Sequence, residues 1–316
     1  MRSTLHARVD TTAVRCRLAA FATLRASAES IGQWRKQPIR LGADAMPATF
    51  LKHADNQTVV AVAAVSAVIE RQGWHECSFA DWGVLAAPNR FGRISVAQTI
   101  ERLRAEGAWG VSPHLIPHQS LHAVSGTISQ ALKIHGPNFG VSGGPNAGPD
   151  AFLLAIAMLA DGGLPGLWLI LTGYEQEWIP APNQTTAAPP CLGAALALVL
   201  PSPPATKNNA VSTNLAAGGE GPGVRGDFVG HAPTNPPHPR PLSPGHAPFR
   251  QDEITAGRGR GENGARLSIG QALNLFDVAH LPEFQLASFI DDLPSGAGKW
   301  RLSNTFWLEL DAEAQG

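Results

Sequence analysis

The chain has 316 residues, of which 44% are hydrophobic and 16% charged, and its formal net charge is -1. That length holds one large domain or two small ones, and the apolar fraction is enough for a real core. A near-neutral balance gives no basic field for nucleic acid. Three scattered cysteines, Cys16, Cys77 and Cys191, offer neither a disulfide framework nor a Cys-based zinc site, and they fit a reducing, cytoplasmic setting. The longest apolar runs, residues 151–160 and 192–200, fall well short of the roughly 20 residues that span a bilayer.

In chain order, residues 1–40 carry eight arginines or lysines. A transit peptide has a similar bias, but there is no apolar h-region and no small-residue cleavage site. Residues 1–36 therefore read as a poorly ordered N-terminal extension, and a domain starts at 37. Residues 58–71 are rich in Val, Ala and Ile. Asp55 or Asn56 can cap them and Gly73 can end them, which predicts a helix. Residues 82–87 form a short apolar run between Asp81 and Pro88-Asn89, a buried strand. Ser95-Val96-Ala97-Gln98 matches a capping box. The helix it opens puts Val96, Ile100 and Leu103 on one face and stops at Gly107.

Leu121, Val124, Ile128 and Leu132 give another helical stripe. Gly136-Pro137-Asn138 breaks it, and residues 139–142 are a short strand. Gly143 to Gly148 is a turn, with Pro149 suited to the first position of a buried helix that runs to about Leu159. Residues 167–172 are a strand apolar on both faces, and residues 192–200 are another. Alternating helices and fully apolar strands predict an α/β layered fold with a mixed sheet covered by helices.

Of the 26 prolines, 11 lie between residues 201 and 249, so the composition changes abruptly there. Residues 201–265 lack apolar periodicity and cannot bury enough surface to offset chain entropy, which predicts a disordered insert. Pro236-Pro237-His238-Pro239-Arg240-Pro241 offers a polyproline-binding reading, but a functionless insertion fits better. Beyond it, residues 268–276 and 283–290 read as short helices and 305–310 as a terminal strand. The segment 266–316 is expected to pack back on the domain formed by 37–200.

The most informative stretch is GPNFGVSGGPNAG, residues 136–148. A strand runs into a sharp turn at a helix N-terminus, a corner that exposes one side chain and favours negative charge. Hydrolases and acyl transferases carry nucleophiles on such corners. The stretch resembles the N-terminal half of a β-ketoacyl synthase, in the thiolase-like fold. The family pattern is Gly-Pro-Asn, two residues, Val-Ser/Thr-x-Ala, then the nucleophilic Cys, Ala or Ser, and Gly. Gly136-Pro137-Asn138, Val141-Ser142 and Ala147-Gly148 match it. Val111-Ser112-Pro113 with Pro117, Gly162 before its strand, Thr172-Gly173-Tyr174-Glu175 and the alanine-rich run 191–200 continue the likeness across residues 55–200.

By count, the family's cysteine falls on Pro145, which has neither a nucleophile nor a backbone donor. Asn146 cannot take over. The family's histidine motifs of the second half are missing, and His280 has no such surroundings. Losing nucleophile and base together removes covalent catalysis. The resemblance thus implies half of a ketosynthase αβαβα sandwich with a degenerate elbow: Ser142, Gly143, Gly144, Pro145, Asn146 and Gly148. It implies no catalytic residue, no cofactor and no metal. It is similar to chain-length-factor-like proteins found with aryl-polyene or type II fatty-acid-like systems. Their tails also end in a short helix and a tryptophan-bearing strand, here Lys299-Trp300-Arg301-Leu302.

The implied role is a non-catalytic partner or chain-length factor for an active ketosynthase working on acyl-carrier-protein thioesters. A homo- or heterodimer would form through the strand Phe139, Gly140, Val141, Ser142, with no nucleic acid and no membrane span. One rival is a divergent acyltransferase or thioester hydrolase using Ser142. Another is a decayed paralogue.

Remaining constellations have simpler explanations. His114, His118 and His122 share a helical spacing, but Pro117 interrupts it and no acid completes a zinc set. The Arg-Gly stretch 257–261 is too short for an RNA site. Trp82, Trp168 and Trp307 read as core aromatics, and Glu175 as structural.

Overall fold

The computed structural model describes residues 14–41, 45–113, 115–141, 144–176, 188–200, 254–255, 265–271 and 278–312. The chain divides into two compact units, residues 1–201 with 250–316, and residues 202–249. The second lies outside the described residues, as do most of the tract 201–265 and the proline run within it.

The first unit is built on a mixed nine-stranded sheet. In chain order its strands are β1 (Val14–Ala26), β4 (Gly83–Pro88), β5 (Asn138–Gly140), β6 (Leu167–Tyr174), β7 (Cys191–Val199), β8 (Ile254–Thr255), β9 (Ala265–Gln271), β10 (Gly298–Arg301) and β11 (Phe306–Ala312). They are arranged as β10-β11-β9-β1-β7-β6-β4-β5, with β8 beside β1. A separate hairpin pairs β2 (Ile39–Arg40) with β3 (Ala45–Met46). β4 pairs in parallel with β5 and β6, and the remaining pairs are antiparallel.

The helices are α1 (Ala28–Trp34), α2 (Asn56–Gln72), α3 (Arg93–Glu106), α4 (Leu115–Gln119), α5 (His122–Leu132), α6 (Ala147–Ala160) and α7 (Leu286–Asp292). Asp55 caps α2 by accepting from the Gln57 amide, and Gly73 ends it with a φ of 68°. That is the start and stop pattern read from the sequence. Every residue of α2 from Gln57 to Ile69 is buried. The helix can lie this close to the sheet because β7 alternates in size. Leu192, Leu196 and Leu198 join the cluster around Phe152 of α6, while a Cβ on Gly193 would sit 2.5 Å from Val60 Cγ1 of α2. Small residues on one face of a strand set the helix–sheet distance.

Several expectations need correction. Residues 14–36 are not an extension outside the domain. β1 lies inside the sheet between β7 and β9, and Cys16, Leu18, Ala20, Ala22 and Leu24 are buried. Arg15 and Arg17 alternate with Cys16 and Leu18, and a register shift between Leu18 and Ala20 then interrupts the period-2 pattern, so charge and bulge together masked the strand. α3 opens at Arg93 with Gly92 at its cap, so Ser95 makes no capping box; its hydroxyl donates to Asp55 Oδ2 at 3.3 Å. The stripe on α3 is not buried: Val96, Ile100 and Leu103 are 42%, 44% and 46% exposed.

Residues 265–271 form β9 rather than entering a helix, because Leu267 and Ile269 alternate into the core. Ile254–Thr255, within the tract read as disordered, pair with Thr23 and Leu24. Trp168 is fully buried, but Trp307 is only half-buried, lying against Gly270 with the Lys299 ammonium over its ring.

Candidate functional site

β5 leads into the corner. The Val141 amide donates to the Ala86 carbonyl at 2.7 Å, extending the β4–β5 pairing by one residue. Ser142 and Gly143 lie outside the described residues. Gly144, Pro145 and Asn146 then turn into α6, where the Ala147 amide donates to the Gly144 carbonyl. The helix opens at Ala147, two residues before Pro149, which falls among the first amides that have no intrahelical partner.

Two glycines hold the corner close to its neighbours. A side chain on Gly140 would collide with the Leu121 carbonyl, and one on Gly148 would sit 2.5 Å from the Phe284 ring. Phe284 belongs to a buried aromatic group with Phe152, Phe289 and Trp300. The C-terminal segment thus closes over the start of α6. Between them is a cavity of about 300 Å³, lined by Pro145, Asn146, Gly148, Thr172, Phe284 and Leu286 among others. At the tip stand an exposed imino acid and an exposed amide, neither of which attacks a carbonyl.

β4 and β6 end side by side, with Pro88 opposite Thr172, and their outgoing chains diverge. A crevice at such strand ends is where open α/β sheets bind ligands. A second cavity of about 370 Å³ lies there, lined by Asp55, Gln57, Asn89, Arg90, Arg93, Tyr174 and Glu175 among others.

The polar groups around it are cross-linked. Gln57 Nε2 donates to the Asn89 carbonyl at 3.1 Å, and Thr172 Oγ1 donates to Gln57 Oε1 at 2.9 Å. Arg35 donates to Asn56 Oδ1 at 2.6 Å, and Asn56 Nδ2 donates to the Tyr174 hydroxyl at 3.2 Å. Burial raises the Asp55 carboxyl above its ordinary value, against the opposing Gln57 amide, Arg35 charge and Ser95 hydroxyl. Burial, then Cys191 and Asp55, push the Tyr174 phenol up.

Cys191 pairs with Tyr174 across the β6–β7 register. It is fully buried, and burial holds its thiol well above the usual range, so it is no substitute nucleophile. Cys16 is likewise buried, with its thiol pushed up to about 12. Glu175 bonds Arg25, which also holds Asp291 of α7 at 2.9 Å, so the Arg25 guanidinium ties three segments together. Of the histidines, His114 is outside the described residues, His118 lies near His53 with ring centres 6.0 Å apart, and His122 faces Ser125. Among the described residues, no group of three or more His, Cys, Asp or Glu could hold a metal ion, and no helix is long and apolar enough to cross a membrane.

Of the interface residues read from the sequence, Phe139 is 50% exposed and Gly140 and Val141 are half-buried. Among the described residues, β5 pairs only with β4 and forms the sheet edge. The polar cavity was missed, because Asp55, Asn89 and Tyr174 are far apart in sequence. The available signal was Asn89-Arg90 directly after an apolar strand.

No family model matches the sequence. Among solved structures, the ishigamide ketosynthase/chain length factor is similar over 58% of this chain and 62% of that one, at 15% identity and a TM-score of 0.42. A type II polyketide synthase acyl-carrier protein in complex with its ketosynthase, AntDE:AntF, is similar over 59% and 62%, at 16% identity and 0.41. The ketosynthase ApeO in complex with its chain length factor ApeC, from Xenorhabdus doucetiae, is similar over 59% and 80%, at 13% identity and 0.41. The first two are matched over less than two thirds of their own length. These are partial likenesses to ketosynthases and chain length factors, and nothing about activity follows from them.

Proposed function

We propose that this chain is a non-catalytic, ketosynthase-like subunit that partners an active ketosynthase and sets product length in fatty-acyl or polyketide assembly of the aryl-polyene kind. The observation that carries the reading is the corner between β5 and α6. It keeps the strand–turn–helix course of the resemblance but presents Pro145 where the resemblance places a thiolate. Proline supplies no electron pair for acyl transfer and no amide for an oxyanion.

β5 supports the partner role, since an edge strand with a half-exposed Phe139 can extend its sheet into a second subunit. The assembly envisaged is the kind named for ApeO and ApeC, a ketosynthase with its chain length factor.

The test is co-expression with an active ketosynthase and its acyl carrier protein. The expected result is a co-purifying complex and a shift in product length when this chain is omitted. Absence of both rejects the reading. Thioester hydrolysis by the purified chain alone, abolished by Ser142→Ala, would favour a hydrolase instead.

A further inference from the structure

We infer that α3 and the turn after it are a second docking surface for the subunit that β5 is proposed to meet. Val96, Ile100, Leu103 and Trp109 are its anchors, and the partner offers them an apolar groove. The inference rests on the partner reading above and extends it to residues that reading does not use.

It starts from a helix that the rest of the chain does not hold. α3 has 14 residues, and none of them is buried. Helices of that length are marginal in water unless one face is packed. Local devices do not make up the difference: Gly92 caps the helix without a side-chain bond, and no acid sits in the first turn. Ser95 ties that turn to Asp55. Further along, every residue from Glu101 to Trp109 is exposed.

The exposed side chains are ordered, however. Val96, Ile100 and Leu103 recur at i, i+4 and i+7, which is one apolar stripe. Trp109 follows in the turn Gly107–Gly110 and is 99% exposed. A bare tryptophan beside three half-open aliphatic side chains has the make-up of an interface core. Glu101, Arg102, Arg104 and Glu106 place both signs of charge on the same helix, which suits a polar rim.

What covers the stripe follows from position and area. A Cβ on Gly92, at the start of α3, would sit 3.2 Å from the Gln119 carbonyl oxygen. Two residues on, the Leu121 carbonyl lies against Gly140 of β5, and Leu121 is 38% exposed. Residues 119–121 thus link the start of α3 to the sheet edge that carries the half-exposed Phe139. That edge is too small to hold a subunit alone. β5 has three residues, whereas a specific interface takes roughly 800 Å² and 20–30 residues from each partner. A subunit paired with β5 must extend its contact, and the apolar surface next to β5 leads over Leu121 to α3. Anchors at this helical spacing fit an apolar groove.

The experiment uses the full chain co-expressed with the active ketosynthase. Two variants are compared with the wild type: Ile100→Glu combined with Leu103→Glu, and Trp109→Ala. Each should weaken capture of the ketosynthase by about tenfold or more. The urea midpoint of the isolated chain should stay nearly unchanged, because these side chains are exposed in it. In hydrogen exchange, the α3 amides should exchange quickly in the isolated chain and be protected in the complex.

Equal capture of the ketosynthase by wild type and both variants, or α3 amides left unprotected in the complex, overturns this inference and leaves the partner reading intact. No capture by the wild type removes both. A dimer of the isolated chain that Ile100→Glu with Leu103→Glu splits also overturns it, since α3 would then belong to a second copy.

Discussion

In the parallel part of the sheet, β6, β4 and β5 finish together under a group of turns: Asn89-Arg90, Gly144-Pro145-Asn146 and Tyr174-Glu175. In the antiparallel part, β7, β1, β9, β11 and β10 bury leucines and alanines on one face. The polar cavity and Arg90, whose φ is 52°, belong to the first part, while the cavity beside the corner lies between that part and the C-terminal segment. The second supplies packing and holds the C-terminal segment, whose Phe284 reaches back over α6. Parallel strands need crossovers, and their loops gather at one end, which gives a site. Antiparallel neighbours here give stiffness.

The largest effect should follow from removing the contact that joins the two parts. Phe152 of α6 meets Phe284 and Phe289 of the C-terminal segment and is fully buried. Phe152→Ala should cost about 4 kcal/mol, read as a lower urea midpoint. Next, Gly193→Val forces a side chain into Val60 of α2 and should cost about 2 kcal/mol in the same measurement.

The polar end should respond to pH instead. The folded state raises the Asp55 carboxyl above 3.8, so the native chain holds that proton more tightly than the unfolded chain. This site therefore favours folding less as pH rises through and beyond that value. Across a pH series, the stability of the wild type relative to Asp55→Asn should fall toward neutrality. A difference that grew with pH would mean that Asp55 is stabilised as an anion.

The smallest effects belong to the surface. Ile100→Glu on the exposed face of α3 should change stability by no more than about 0.5 kcal/mol. With thiol reagents, Cys77 should react in the native protein and Cys16 and Cys191 only after unfolding.

The helix α2 was readable because its cap, its stop and its apolar run agree with one another. β6 and β7 were readable because strands buried on both faces are apolar throughout. β1 was hidden by Arg15 and Arg17 on either side of Cys16 and by the register shift between Leu18 and Ala20, after which residues 20–24 are buried at every position. α3 misled in the opposite sense. Its periodicity is genuine, but a stripe shows only that a face can be buried, not that anything covers it. The succession of strand, turn and helix from β5 to α6 was legible in the turn residues, whereas Asn89 and Tyr174 are brought together by the β4–β6 register and Asp55 by the start of α2, which no local pattern encodes.

The place of β1 has a consequence for how the chain is made. Arg17 aligns with Val199 on one side and with Arg266 on the other, partners from distant parts of the polypeptide. Such high contact order slows folding, because long loops must close before the pairing is rewarded. β1 is synthesised well before either β7 or β9, and until both follow, its edges stay open to other chains. Trimming the arginine-rich start as a dispensable leader would remove an interior rib of the sheet, and aggregation during synthesis is the failure to expect.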